Sequence, residues 1–146
     1  MDIQIRRANS KDIKQIDNIE SSLEHRILSY DTLSSTLDNK SYIYMVASVN
    51  NIIVGYIVAE LLVDHLDLLA IAINKDYRRK NIASTLILEL FKTCKSLNVD
   101  DIFLEVRCNN MNAIKLYEKV GFEKISSRKN YYKDTGEDAF IYKKTV

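Results

Sequence analysis

The spacing of apolar residues along the chain predicts an ordered series of strands and helices. Near the N-terminus, Ile3 and Ile5 alternate with polar neighbours, as the residues of a short strand do. The segment NSKDIKQIDNIESSL follows with apolar residues at helical spacing, and Asn9 or Ser10 is a suitable N-cap. The apolar residues of this first helix are Ile13, Ile16, Ile19 and Leu23. A second short helix is predicted over residues 31–37.

The middle of the chain predicts three consecutive strands. The segments YIYMVASV and IIVGYIVAELLV are separated by Asn50 and Asn51. Paired asparagines tolerate the positive φ of a tight turn, so these two strands are predicted to form a hairpin. The next segment, LDLLAIAI, is apolar on both faces and is therefore predicted to lie at the centre of the sheet.

The last third of the chain alternates between helices and strands. Residues 84–97 and 110–120 each carry one apolar helical face, and Gly121 is suited to end the second of these helices. The segment DIFLEV between them reads as a strand, and two further strands are predicted near residues 122–125 and 139–142. The full order is a strand, two helices, three strands, a helix, a strand, a helix and two strands. This order predicts a mixed α/β sheet with helices on its faces.

Composition narrows the class of protein. A chain of 146 residues, 47% hydrophobic and 28% charged, is predicted to form one globular domain over residues 1–146. The net charge of +1 gives no reason to expect a nucleic-acid partner. The apolar stretches are interrupted and fall short of a membrane span, and the N-terminus lacks a signal-peptide core, so a cytoplasmic protein is expected. Two cysteines are too few for a disulfide framework or a zinc site, and no metal is predicted.

The segment YRRKNIASTL brings three cations to the predicted start of a helix. Helix N-termini leave backbone N–H groups unpaired and attract anions, so this turn is a candidate phosphate site. Asn81 stands where such turns usually carry glycine, and asparagine also enters the left-handed conformation readily. By spacing alone, a solvated basic turn is the more common outcome.

Two residues further along the chain are candidates for proton transfer. Glu105 shares a strand face with Phe103 and Arg107, and a Glu105–Arg107 surface pair is the simpler interpretation of that pattern. Tyr117 lies on the inward face of a predicted helix, where a tyrosine is usually a core residue. Cys108 raises the alternative of nucleophilic catalysis through a covalent cysteine intermediate, but no histidine lies nearby in the sequence to activate it. His25 and His65 are given no role.

The segment FLEVRCNNMNAIKLYEKVGF resembles the C-terminal half of a GNAT-fold N-acetyltransferase, closest to the RimI-type enzymes that acetylate protein N-termini. The resemblance rests on Glu105-Val106-Arg107, on Asn110 with Ala113, on Leu116-Tyr117 and on Gly121-Phe122. The later segment RKNYYKDTGEDAFIYK resembles another stretch of the family. The resemblance implies the GNAT fold, a mostly antiparallel sheet of about seven strands flanked by about four helices.

The resemblance also implies acetyl-CoA as cosubstrate. The family's pyrophosphate-binding turn, Arg/Gln-x-x-Gly-x-Gly/Ala, is matched by Arg78, Asn81 and Ala83. The pantetheine arm pairs in the family with the preceding strand, and a backbone N–H there faces the developing oxyanion. The cofactor-binding residues implied in this way are Ile71, Ala72, Ile73, Arg78, Arg79, Lys80, Asn81, Ile82, Ala83, Ser84 and Asn110.

The family pattern assigns the catalytic and acceptor residues. Glu105 falls on the position of the general base and Tyr117 on that of the general acid, while Tyr131 and Tyr132 would wall a peptide slot. The implied reaction is direct acetyl transfer, in a ternary complex, to a protein N-terminus. The implied acceptor is the N-terminal alanine of a small-subunit ribosomal protein.

Two departures from the family pattern keep alternatives open. Asn81 replaces the motif glycine, which leaves a non-catalytic acyl-CoA-binding module as an alternative. The segment ILSYDTL keeps Ser29 but lacks the Pro-Trp of RimI-type proteins, in a region that shapes the acceptor site. Other protein N-termini and small amines therefore remain alternative acceptors.

Overall fold

A single sheet of seven strands forms the centre of the molecule, and the computed structural model describes all of residues 1–146. The strands are β1 (Gln4–Arg7), β2 (Tyr42–Val49), β3 (Ile52–Leu61), β4 (Leu66–Ile73), β5 (Asp101–Arg107), β6 (Glu123–Arg128) and β7 (Ala139–Thr145). The helices are α1 (Ile13–Ser21), α2 (Tyr30–Thr36), α3 (Ile82–Ser96) and α4 (Met111–Lys119). The predicted order of strands and helices is confirmed.

The strand order across the sheet is β1-β2-β3-β4-β5-β7-β6. All neighbouring pairs are antiparallel except β4 and β5, which are parallel. β4 is the middle strand, as its two apolar faces predicted. The hairpin between β2 and β3 turns at Asn50 and Asn51, whose φ angles are 52° and 65°. The positive φ expected from paired asparagines is therefore confirmed.

The two faces of the sheet carry separate apolar cores. Helices α3 and α4 cover one face, where Leu86 and Leu90 of α3 are fully buried. Helices α1 and α2 cover the other face through Ile16 and Leu33. None of the four helices has both the length and the apolar character that a membrane-spanning helix needs.

Several element bounds differ from those predicted, and three of the differences have a clear physical reason. Helix α3 begins at Ile82, two residues before the predicted start, because its first turn follows directly on the left-handed Asn81. Strand β6 extends to Arg128, and all of its residues are exposed, so no apolar alternation marks its length. Strand β7 continues to Thr145, where its partners on β5 lie.

The parallel strands β4 and β5 pair over only three residues each. Leu66, Asp67 and Leu68 lie opposite Ile102, Phe103 and Leu104, and no pairing follows beyond them. The later halves of the two strands therefore diverge. This divergence opens the sheet at its centre and leaves one edge of β4 without a neighbouring strand.

Candidate active site

A large cleft lies where β4 and β5 diverge. Its volume is about 1410 Å³. The two strands form its floor, and three parts of the chain form its walls: α4 with the start of α3, the α1–α2 connection, and the β6–β7 loop. The predicted residues that line it are Ile71, Ala72, Ile73, Arg78, Ala83, Glu105, Asn110, Tyr117, Tyr131 and Tyr132. One cavity thus collects both the predicted catalytic residues and most of the predicted cofactor residues.

The edge of β4 supplies free backbone groups to the cleft. The Asn74 N–H bonds to the Val54 carbonyl on the β3 side, whereas the Ile73 carbonyl accepts from Arg78 Nε on the opposite side, at 3.2 Å. Alternate residues of a strand direct their backbone groups to opposite neighbours. The N–H groups of Ile71 and Ile73 therefore point into the cleft, while Ala72 pairs with β3.

The turn before α3 holds two non-glycine residues in the left-handed region. Asn81 has φ 61° and ψ 19°, and Arg79 has φ 62°. The first helical hydrogen bond of α3 runs from Thr85 N–H to the Asn81 carbonyl, and the Asn81 side chain makes no capping bond. The N–H groups of Ile82, Ala83 and Ser84 are therefore available to an anion.

The basic residues of this turn take different positions. Arg78 lines the cleft and is held by the Ile73 carbonyl, whereas Arg79 and Lys80 are exposed and lie outside the lining of the cleft. The Ile82 side chain is buried in the core, so Ile82 can offer a ligand only its backbone N–H. Lys119 of α4 donates to Asn81 Oδ1 at 3.5 Å, which brings a further cation to the turn.

Glu105 lies on the exposed face of β5, with its carboxylate in the cleft. The surface pair with Arg107 that spacing favoured does not form. Arg107 instead binds Asp134 and Glu137 of the β6–β7 loop, at 3.0 and 3.3 Å. The Glu105 carboxylate consequently forms no ion pair with Arg107.

Tyr131 and Tyr132 lie beside Glu105 on the β6–β7 loop. The pKa of Tyr131 is raised, first by a hydrogen bond with the Glu105 carboxylate and then by burial. Burial raises the pKa of Tyr132 to about 12, and the Glu105 charge adds to this shift. The Arg107 guanidinium lies 4.0 Å from the centre of the Tyr132 ring. Arg107 therefore holds in place the loop that carries both tyrosines.

Tyr117 is buried in the wall formed by α4 and is 8% exposed. Its ring packs edge-on against Phe122, with the ring centres 5.8 Å apart. The hydroxyl makes no hydrogen bond within the protein, and since no fully buried polar side-chain atom lacks a partner, it must be open to solvent in the cleft. Burial raises the pKa of Tyr117, with a smaller contribution from Tyr132. The hydroxyl therefore stays protonated and remains available as a donor.

Asn110 and Cys108 lie between β5 and α4. Asn110 is the N-cap of α4, and its Oδ1 accepts from Ala113 N–H at 3.3 Å, while its side chain also lines the cleft. The Cys108 thiol lies 3.7 Å from Asn109 Oδ1 and does not line the cleft. The position of Cys108 thus gives no support to a covalent acetyl-cysteine.

Three titratable residues that line the cleft were not among the predicted site residues but lie close to them. His25 and His65, which were assigned no role from the sequence, both lie there, and so does Asp67 of β4. A signal for Asp67 was present, since it is a carboxylate that interrupts an apolar strand, as Glu105 is. Burial raises the pKa of Asp67, and the charges of Glu60 and Glu105 add to the shift. The pKa of His65 is raised mainly by its hydrogen bond to Asp64, at 2.7 Å.

Comparisons with known proteins give the family of the chain. Residues 10–122 match the model of the acetyltransferase (GNAT) family. An N-alpha-acetyltransferase of Saccharolobus solfataricus is 36% identical, over 96% of this chain and 91% of its own length. A Bacillus subtilis relative, provisionally named a ribosomal protein bS18-alanine N-acetyltransferase, is 32% identical over 97% of this chain and 95% of its own. The crystal structure of the ribosomal-protein-S18-alanine N-acetyltransferase from Escherichia coli superposes with a TM-score of 0.91, at 27% identity, covering 99% of this chain and 94% of that one.

These matches confirm the predicted fold, the resemblance to RimI-type proteins and the enzyme class. They also confirm acetyl-CoA, the acetyl donor of this family, as the cosubstrate. No group of three or more His, Cys, Asp and Glu side chains is placed to hold a metal ion. The protein belongs to the GNAT family of acetyltransferases.

Proposed function

We propose that this enzyme transfers the acetyl group of acetyl-CoA to the N-terminal α-amine of a protein, with the N-terminal alanine of a small-subunit ribosomal protein as its acceptor. The observation that carries the proposal is the Glu105 carboxylate, which lies beside Tyr131 in the cleft without a cationic partner. The names of the Bacillus and Escherichia proteins support the alanine acceptor. We also infer that residues 1–146 form one acetyltransferase domain, because both apolar cores share one sheet.

The residues at the start of α3 fit a pyrophosphate. The three free N–H groups of the first turn supply directed donors, and the positive end of the helix dipole favours the anion. Arg78, Arg79, Lys80 and Lys119 surround the turn with positive charge. The open edge of β4 fits the amide-containing pantetheine arm, because Ile71 and Ile73 direct N–H and carbonyl groups toward it, as for an added strand.

The proposed chemistry needs three functions, and the cleft offers a group for each. A peptide α-amine has a pKa of ~7.7–8.0, so a carboxylate base such as Glu105 has only a modest task in taking its proton. A backbone N–H of Ile71 or Ile73 faces the thioester oxygen as negative charge develops there. The Tyr117 hydroxyl donates a proton to the departing thiolate. The new amide bond forms as the carbon–sulfur bond breaks.

The aromatic wall favours an extended peptide as acceptor. Tyr131 and Tyr132 stand on one side of the floor and the segment 23–27 on the other, so the acceptor enters between two walls. A chain that extends from its own α-amine fits such a slot. The lower-pKa α-amine is also easier for Glu105 to deprotonate than a lysine amine with a pKa of ~10.4.

A broader set of protein N-termini is the second candidate. The Saccharolobus relative is named an N-alpha-acetyltransferase, and its name mentions no ribosomal substrate. Its identity to this chain, 36%, is higher than the 32% of the Bacillus relative. The Pro-Trp pair of RimI-type proteins is replaced by Ile27 and Leu28, of which Ile27 lines the cleft. The non-catalytic alternative has less support, because the Glu105 carboxylate has no cationic partner and the Tyr117 hydroxyl has no hydrogen-bond partner in the protein.

A panel of acceptors tests the proposal. Acetyl-CoA and the enzyme are incubated with an alanine-initiated ribosomal peptide, with the same peptide carrying other first residues, and with spermidine, and the products are weighed by mass spectrometry. The proposal requires the alanine peptide to gain one acetyl group at the highest rate. Equal rates across the peptides would support the broader acceptor range, and exclusive acetylation of spermidine would overturn the proposal.

Asn81 yields a prediction about cosubstrate binding. We expect Asn81→Gly to leave the affinity for acetyl-CoA within about twofold, because glycine adopts the same left-handed backbone at no steric cost. We expect Asn81→Val to weaken it about tenfold, because a β-branched residue avoids positive φ by more than ~1 kcal/mol and shifts the amides that follow. Titration calorimetry with coenzyme A checks both. Equal affinities for the glycine and valine variants would show that this backbone turn does not hold the pyrophosphate.

A further inference from the structure

The connection between α1 and α2 forms one wall of the cleft but has little structure of its own. Residues 24–28 make no backbone–backbone hydrogen bond in either direction. The Ile27 side chain is 50% exposed and lines the cleft, whereas Leu28 is buried in the core beneath α1 and α2. Something other than regular secondary structure must therefore hold this wall in place.

The buried carboxylate of Glu20 holds the segment 24–28 in place. Glu20, at the end of α1, is fully buried. Its Oε1 accepts two backbone hydrogen bonds, from Ile27 N–H at 2.7 Å and from Leu28 N–H at 3.0 Å. Its Oε2 accepts from the hydroxyl of Tyr56, a fully buried residue of β3. The central sheet is thus tied through one side chain to the backbone of the acceptor wall.

The cost of burying this carboxylate argues for a specific role. A carboxylate is expensive to remove from water, and an apolar side chain of similar volume usually serves a core as well or better. Glu20 forms no ion pair, and its three donors are the two wall amides and one tyrosine. The hydrogen-bonding capacity of Glu20 is therefore directed at the wall rather than at the core.

We propose that Glu20 is a positioning residue for acceptor binding. It holds the segment 24–28 in the position at which Ile27 and His25 face the bound peptide. Arg26 reinforces the same geometry from outside, through hydrogen bonds from Nε to the Leu28 carbonyl at 2.8 Å and from Nη1 to Ser21 Oγ at 2.8 Å. His25 Nδ1 meets Asp134 of the opposite wall at 3.1 Å. A displaced segment would therefore disturb both sides of the slot. This inference rests on the proposed function, because it concerns the acceptor side of the cleft.

Two substitutions at Glu20 separate positioning from simple packing. Glutamine keeps an Oε1 that can accept hydrogen bonds from the N–H groups of Ile27 and Leu28. Its Nε2 can donate to the Tyr56 oxygen, which replaces the bond that Glu20 Oε2 accepts from the Tyr56 hydroxyl in the native protein. Methionine fills the same volume without any acceptor for the amides. We expect Glu20→Met to raise the KM for the peptide about tenfold and Glu20→Gln to restore it to within about twofold of the native enzyme. The KM for acetyl-CoA stays unchanged in both.

A matched pair of tyrosine substitutions keeps the test open should Glu20→Met fail to fold. Tyr56→Phe removes the hydroxyl that holds Glu20, whereas Tyr44→Phe removes the hydroxyl of another buried tyrosine, which bonds to Thr36 at 2.6 Å and makes no hydrogen bond to the segment 24–28. We expect about a threefold rise in the peptide KM for Tyr56→Phe and no change for Tyr44→Phe. Equal effects of the two tyrosine variants would overturn the inference, as would an acetyl-CoA KM that rises in step with the peptide KM.

Hydrogen exchange provides a readout that does not need the reaction. The amides of Ile27 and Leu28 should exchange slowly in the native protein and at least about tenfold faster in Glu20→Met or Tyr56→Phe. Unchanged exchange in these variants would overturn the role of Glu20. If the native enzyme fails to acetylate the peptide, the proposed function is wrong, and the exchange rates still decide whether Glu20 holds the wall.

Discussion

Glu105→Gln is expected to lower kcat for the peptide at pH 7 by about a hundredfold or more, the usual contribution of a positioned general base. Glutamine keeps the size of the side chain and removes its ability to take a proton. The affinity for acetyl-CoA should not change, because Glu105 lies on β5 and not on the turn that we propose binds the pyrophosphate. The measurement is steady-state kinetics on the alanine peptide, together with calorimetry of cosubstrate binding.

The pH dependence of this variant carries a second expectation. The α-amine becomes neutral without help above its own pKa of ~7.7–8.0. The deficit of Glu105→Gln should therefore shrink as the pH rises from 7 to 9. Glu123→Gln removes an equivalent charge from the exposed start of β6 and serves as the control, with native kcat expected. A Glu105→Gln enzyme with native kcat at pH 7 would remove Glu105 from the mechanism.

Tyr117→Phe is expected to reduce kcat about a hundredfold, because the departing thiolate loses its proton donor. The free energy of unfolding should stay within about 0.5 kcal/mol, since the hydroxyl makes no hydrogen bond inside the protein. Burial raises the pKa of Tyr117 above the ordinary value of ~10, so the donor form persists at every pH at which the enzyme works. Loss of activity between pH 7 and 9 is accordingly not expected from this residue.

Tyr142→Phe is the matched control for Tyr117→Phe. The Tyr142 hydroxyl donates to Glu118 Oε2 at 2.9 Å, and Tyr142 does not line the cleft. This variant should lose about 1 kcal/mol of stability, the usual net value of one hydrogen bond, and keep native kcat. Denaturant unfolding and the same kinetic assay give both numbers. A Tyr142→Phe enzyme with native stability and low kcat, together with a Tyr117→Phe enzyme with native kcat, would contradict this assignment. Tyr142 rather than Tyr117 would then be the proton donor.

The local patterns of the sequence predicted most of the fold. The hairpin at Asn50 and the central position of β4 follow from backbone preference and from burial on both faces, which are properties of short segments. The length of β6 was not predictable in the same way. Its residues are all exposed, so its strand conformation depends on pairing with β7 rather than on its own pattern.

Only the site residues that belong to a family motif could be predicted from the sequence. Glu105 and Tyr117 were found through the family pattern, and spacing alone favoured a Glu105–Arg107 pair that the β6–β7 loop prevents by binding Arg107 itself. The placement of His25 and Glu20 could not be predicted in this way, because the contacts they make join segments distant in sequence. No local sequence pattern indicates that the Glu20 carboxylate, at the end of α1, accepts a hydrogen bond from the backbone N–H of Ile27, seven residues later.

The most direct test of the central claim uses one peptide with an N-terminal alanine and one internal lysine. After incubation with acetyl-CoA and a limiting amount of enzyme, fragmentation in the mass spectrometer locates the acetyl group. The account predicts that the acetyl group lies on the alanine α-amine and that the lysine stays unmodified. Acetyl on the lysine side chain with a free α-amine would contradict it, because the cleft would then favour the amine that Glu105 is least able to deprotonate.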